Sequence, residues 1–411
     1  MTLAIARRAA FLGGLAALTP AAFVACSDAT DGAAPEASAD ASLDSSALDA
    51  SAPDSHADVT VPVDDAGNCS EGGFCREPLP VHQPLVAVTA ASADDVWAVG
   101  GNVMLRWNGT SWKTVYQYGG TSEAFELLGV WGTKSDDIWA LAVADAKAFL
   151  IRHASADGGP AVFREVLTEA ELNPWDENHG WLTPSADELW ILGRYGGQLR
   201  RMRELPDGSV VVDDVMPPVL AADPEVYFEW ESLGGFASND VWVGGHQCLN
   251  IFCGEERGAL AHYDGATWSI TILDTSERVS TIVGTTDPDQ PRRLWLGLGH
   301  EVALVPVEAN GGVGAPLHTQ TVLPDNYDCS HLVGVAISPA LAWLSNGCLV
   351  YRWNGTALDV MPVSPNGIPS AYVKGIWAGK SGDAWIVGES LIRGPNAPKT
   401  GFTARREGDA P

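Results

Sequence analysis

Positive charge is scarce in this chain: 24 Lys and Arg stand against 52 Asp and Glu in 411 residues, a formal net charge of −28. So acidic a protein repels phosphate backbones, which excludes nucleic acid as a partner. Solubility of a secreted protein explains the excess, and a cation-binding surface is the other reading. No two cysteines stand in a CxxC spacing, so neither zinc-ribbon nor thioredoxin-type chemistry is indicated. Ser-centred GxSxG, HExxH and P-loop signatures are all missing. The apolar run Phe11 to Ala25 is too short to cross a bilayer as a stop-transfer helix.

That run instead belongs to an export signal over residues 1–26, with Arg7 and Arg8 as its positive start. Its end, Phe23-Val24-Ala25-Cys26, resembles the lipobox of bacterial lipoproteins, with Phe where Leu is usual. The resemblance implies lipidation of Cys26 and residence at the bacterial cell envelope, on the outer-membrane or periplasmic face. Ordinary signal-peptidase cleavage is the alternative. Residues 27–67 hold ten acidic residues and no Lys, Arg or aromatic, so they are expected to be a disordered Ala/Ser/Asp-rich tether. A membrane is then reached through the lipid alone.

Beyond the tether, 42 of the acidic residues remain against 22 basic ones. Six cysteines remain too, a number that allows about 15 connectivities, and proximity alone groups them as Cys69 with Cys75, Cys248 with Cys253, and Cys329 with Cys348. That pattern fits an oxidising compartment. The last pair would close a ring of 20 residues, which contributes about 3 kcal/mol in the chain-entropy view.

The chain then writes one stretch seven times. Ser92-Ala93-Asp94-Asp95-Val96-Trp97-Ala98-Val99-Gly100 returns around Trp139, Trp190, Trp242 and Trp385, and in worn form around Trp295 and Trp343. The anchors are 42 to 53 residues apart, within or just above the range of solenoid and propeller repeats. Each unit reads as four strands. The one carrying the anchor is apolar on both faces, so it needs cover above and below. Seven four-stranded antiparallel sheets standing around an axis give that cover. Residues 85–406 are therefore predicted to form a seven-bladed, all-β propeller, with 68–84 as a disulfide-bearing lead-in and 407–411 as a tail. In the last blade Ser390-Leu391-Ile392-Arg393 reads as a third strand and Phe402 to Arg405 only weakly as a fourth. Gly73 to Leu79 could fill that edge and close the ring.

Asn108-Gly109, Asp264-Gly265 and Asn354-Gly355 predict hairpins with both turn residues at positive φ. These Gly turns, with Trp112 and Trp268 behind them, resemble the Asp-box repeats of bacterial neuraminidases, although an Asp box has one residue between Asp and Gly. The region 85–406 also resembles repeat lipoproteins of environmental bacteria. The resemblance implies a blade type and no reaction.

Fifteen of the 16 tryptophans fit strand or turn positions, so their number is no ligand signal; only Trp175 stands outside. The acid pairs Asp94-Asp95, Asp136-Asp137 and Asp187-Glu188 recur with the repeat, and a structural role accepting turn amides is expected. Binding is expected where the repeats disagree, on the face carrying the second-to-third-strand and inter-blade loops. That face holds Trp175, Glu177, His179, Arg194, Tyr195, His246, His300, Glu301, Tyr327, His331 and Glu389. No metal site, no cofactor and no catalytic residue is assigned. The expected role is non-enzymatic binding of a protein or glycan by a monomer. A glycosidase or lyase using Glu301 and Glu389 at the channel mouth is the alternative.

Overall fold

The computed structural model describes residues 69–408 apart from 121–124, 145–146, 156–160, 172–179, 186–187, 194–198, 206–207, 216, 218–225, 250–252, 254, 286–289, 309–310, 323–331, 365–370 and 391–399. Every regular element among the described residues is a strand. After β1 (Phe74–Arg76), blade one runs β2 (Ala87–Ser92), β3 (Asp95–Gly100), β4 (Val103–Trp107) and β5 (Trp112–Gln117). Blade two is β6 (Glu126–Lys134), β7 (Asp137–Ala144), β8 (Lys147–Ser155) and β9 (Ala161–Glu171). Blade three is β10 (Gly180–Ser185), β11 (Glu188–Leu192), β12 (Leu199–Glu204) and β13 (Val210–Asp214). Blade four is β14 (Tyr227–Ala237), β15 (Asp240–Cys248), β16 (Glu256–Tyr263) and β17 (Trp268–Ile272). Blade five is β18 (Val279–Gly284), β19 (Arg293–Leu298), β20 (Glu301–Pro306) and β21 (His318–Thr321). Blade six is β22 (Val333–Ser338), β23 (Leu341–Ser345), β24 (Val350–Trp353) and β25 (Leu358–Met361). Blade seven is β26 (Ala371–Ala378), β27 (Ala384–Ser390), β28 (Thr400–Arg406) and, at its outer edge, β1.

These are seven four-stranded antiparallel sheets arranged as a propeller ring. First strands of neighbouring blades lie against one another, β14 on β18, β18 on β22 and β22 on β26, and β26 lies against β2 where the ring closes. The closing edge combines both ends of the fold: Phe74, Cys75 and Arg76 pair with Arg406, Arg405 and Ala404. The third strand of blade seven is Thr400–Arg406; of the expected Ser390 to Arg393, Ser390 ends β27 and residues 391–393 lie outside the described residues. Joining the outermost strand to distant sequence leaves no unpaired partner for β28.

The core lies between blades, as two-sided apolar strands require. All seven anchor indoles are buried, none more than 4 % exposed. Each second strand is covered by both neighbours; Trp385 of blade seven, for example, packs on Trp107 and Trp112 of blade one, with centroids 5.2 and 5.3 Å away. Truncating such a side chain leaves a void that costs roughly 3–5 kcal/mol.

Two local details differ from expectation. Among the three Gly turns, only the glycines have positive φ, 90° at Gly109, 95° at Gly265 and 96° at Gly355. Residues 108–111 form a four-residue loop in which Asn108 Oδ1 accepts hydrogen bonds from the amides of Thr110 and Ser111, at 3.1 and 3.0 Å. Asp264 caps the amides of Ala266 and Thr267 in the same way, and those amides hold its carboxyl below the usual carboxylate range. The second correction concerns the acid pairs. Their second members bond across the sheet: Asp95 accepts from Arg106 Nε at 2.7 Å, Asp137 from Arg152 at 2.9 Å and Glu188 from Arg201 at 2.7 Å. Those arginines stand opposite the anchors in register, with the guanidinium 4.9, 4.6 and 5.6 Å from the indoles of Trp97, Trp139 and Trp190. In blade four His262 replaces Arg and stacks on Trp242 at 4.3 Å. In blades one to three the repeat therefore encodes an acid, a tryptophan and an arginine as one unit, with histidine in place of the arginine in blade four.

Candidate functional site

Antiparallel order places the second-to-third-strand turns and the inter-blade connections at one end of every sheet, and the acid and Gly turns at the other. In blades one to four the second end carries the units just described. At the first end the blades differ, and blade four carries a group found in no other described blade.

His246 lies on β15, four residues beyond the anchor Trp242, and is completely buried. Glu229 faces it in register on β14, and Glu231 is the extra residue of a bulge between Trp230 and Ser232. The backbone approach requires glycine beside them: a Cβ on Gly245 would come within 1.9 Å of the Glu229 carbonyl oxygen. The result is one imidazole between two carboxylates, with Nε2 3.5 Å from Glu229 Oε2 and Nδ1 3.3 Å from Glu231 Oε1. Neither ring nitrogen makes a hydrogen bond. Arg278, from the connection to blade five, donates to Glu231 at 3.2 Å and through both Nε and Nη2 to Glu256, at 2.8 and 2.7 Å. That two-pronged bond holds the Glu256 carboxyl below its ordinary value, and Glu256 in turn raises the arginine. Beside them the Cys248–Cys253 disulfide pins the loop after β15.

The sequence-predicted face is only partly within the described residues. His300 and Glu301 are exposed at the β19–β20 turn of blade five. Glu389 is buried on β27 and pairs with Lys374 Nζ at 3.4 Å. Glu301 and Glu389 thus belong to different blades and environments. His246 was expected on the surface and is instead inside the sheet, because its strand runs on as far as Cys248. Trp175, Glu177, His179, Arg194, Tyr195, Tyr327 and His331 lie outside the described residues, as do Cys26 and Cys329. Cys69–Cys75 is bonded as expected, and Cys348 is disulfide-bonded. Glu229, Glu231, Glu256 and Arg278 were not singled out from sequence. The signal for two of them was present in Glu229-Trp230-Glu231, where charge flanks a first-strand tryptophan.

No protein-family model matches this chain, and no curated protein matches it. Solved structures do. YCF48 bound to D1 peptide superposes with a TM-score of 0.55 at 14 % identity, covering 82 % of this chain and 97 % of that one. YCF48 from Cyanidioschyzon merolae gives 0.53 at 14 %, covering 82 % and 98 %. A streptogramin B lyase gives 0.52 at 12 %, covering 81 % and 97 %. The shared feature is the propeller. At such identities the likeness extends to fold alone.

Proposed function

We propose that this chain is a lipid-anchored, non-enzymatic propeller of the bacterial cell envelope whose second-to-third-strand face binds a protein partner. One observation carries the reading. Side chains that recur with the repeat bond to one another within the blades, whereas single-copy charged side chains and the Cys248–Cys253 loop gather at the opposite end. A rigid scaffold presenting non-repeating loops on one face is a common arrangement for recognition. YCF48, which has the same fold, is known with a bound D1 peptide. A glycan partner and the enzymatic alternative have less support. The two nominated carboxylates are separated by blade and by environment, one exposed and one already paired with lysine.

The anchor is tested by Cys26→Ser, which should move the protein from the membrane to the soluble fraction; unchanged fractionation defeats it. Binding is tested by capture from envelope extract with the full chain and two charge reversals. Glu301→Arg should lose a partner that Asp264→Arg, at the opposite end, retains. Release of sugar products that stops in Glu301→Gln would replace this reading with the enzymatic one.

A further inference from the structure

We propose that blade four holds a divalent transition-metal ion, with Zn2+ as the reference case, between His246, Glu229 and Glu231. One ring nitrogen of His246 and a carboxylate oxygen from each glutamate lie within 4.8 Å of one another. Carboxylates alone would not mark a site. The second observation is the imidazole: wholly buried, aimed between the two acids and bonded through neither nitrogen. A buried donor without a hydrogen bond is costly, and coordination would relieve that cost.

Distance and charge agree. In a tetrahedral site with bonds of about 2.0–2.1 Å, neighbouring donor atoms stand about 3.3–3.4 Å apart. The Nδ1-to-Glu231 separation, 3.3 Å, matches that spacing, whereas Glu229 stands 3.5 Å from the opposite nitrogen, Nε2. The two glutamates approach opposite nitrogens, so an ion would take one nitrogen and draw the farther carboxylate around. Arg278 does not prevent this, because Glu256 keeps it bonded through two nitrogens when Glu231 turns away. Three carboxylates against one guanidinium leave a surplus of two negative charges around the imidazole, which a divalent ion cancels. Cys248 and Cys253 are also within reach of His246, but the disulfide removes their thiolates as donors. An imidazole among the ligands favours Zn2+ or its neighbours over Ca2+, which takes oxygen. Three protein donors would leave a position for water or a partner's donor atom.

The experiment is calorimetric titration of the metal-free full chain with ZnCl2, without reductant, and with CaCl2 in parallel. The expected result is one Zn2+ per chain, weakened at least tenfold in Glu229→Gln and His246→Gln and unchanged in His300→Gln. Glu229 is partly exposed, so its variant carries the test if the buried histidine variant does not fold. Co2+ should give ligand-field bands without a thiolate charge-transfer band. Absence of stoichiometric Zn2+ binding, equal affinity for Ca2+, or full binding by Glu229→Gln would each overturn the assignment. The titration needs no protein partner, so its failure is separate from failure of the binding reading.

Discussion

Blades four and seven use the same two positions in opposite ways. In each, the bulged residue of the first strand meets the side chain four residues past the anchor tryptophan. In blade seven these are Lys374 and Glu389, one cation for one anion. In blade four they are Glu231 and His246, and Glu229 adds a second carboxylate. The glycine before each is required by the same close approach: a Cβ on Gly388 would meet the Tyr372 carbonyl oxygen at 1.9 Å, as one on Gly245 would meet that of Glu229. A common frame therefore supports a neutral pair in one blade and an acid-rich group in the other. The frame contributes stability, and the excess charge is what the proposed ion would offset.

The largest expected effect tests what the blades share. Trp242→Ala and Trp385→Ala should each cost about 3–5 kcal/mol in chemical denaturation, because both indoles are fully buried. A much smaller loss in either would mean that its blade is not held as described.

Next comes the contrast itself. Lys374→Met leaves Glu389 buried opposite a methyl group and should cost about 2 kcal/mol, less than for a wholly buried pair because the lysine is partly exposed. Glu231→Gln removes one carboxylate from a group that has too many, and should change stability by less than about 1 kcal/mol. Equal losses in the two variants would erase the distinction between the blades.

The acid at the other end of blade four gives a pH test. Burial acts to raise the Asp240 carboxyl, but hydrogen bonds from His262, Arg292 and Trp242 outweigh it and hold the group below its ordinary value. An unfolded Asp titrates near pH 3.9, so Asp240 contributes its full stability above that pH and loses it as pH falls through the lower folded value. Melting temperatures of wild type and Asp240→Asn should therefore converge below about pH 4. Asp383 of blade seven, where burial is again outweighed, here by Ser381, the Gly408 amide and Arg405, should behave alike.

The smallest expected effect concerns the Gly turns. Asn354→Ala loses two bonds to exposed turn amides and should cost about 1 kcal/mol by urea denaturation.

Much of the frame was legible because it is periodic. A two-sided apolar strand repeated around Trp97, Trp139, Trp190, Trp242, Trp295, Trp343 and Trp385 has few ways to be covered, and the ring follows. What could not be read depends on register across strands. Arg106 is eleven residues from Asp95, and only the β3–β4 pairing brings them together over Trp97. His246 and Glu229 are joined by a register that shifts at Glu231, and no local pattern announces that shift. Asn-Gly misled for a related reason: the Asn108 side chain caps the loop, which lets four residues turn where two were expected. The acid pairs had the structural place expected of them, with a cross-strand cation in the role assigned to turn amides.

The central claim, that one end of the ring is scaffold and the other is the contact surface, is tested most directly by photo-cross-linking in living cells. A photoreactive residue at Glu301 should give a discrete cross-linked partner, and the same residue at Thr267, at the opposite end, should give none. Cross-links from Thr267 with none from Glu301 would contradict the account.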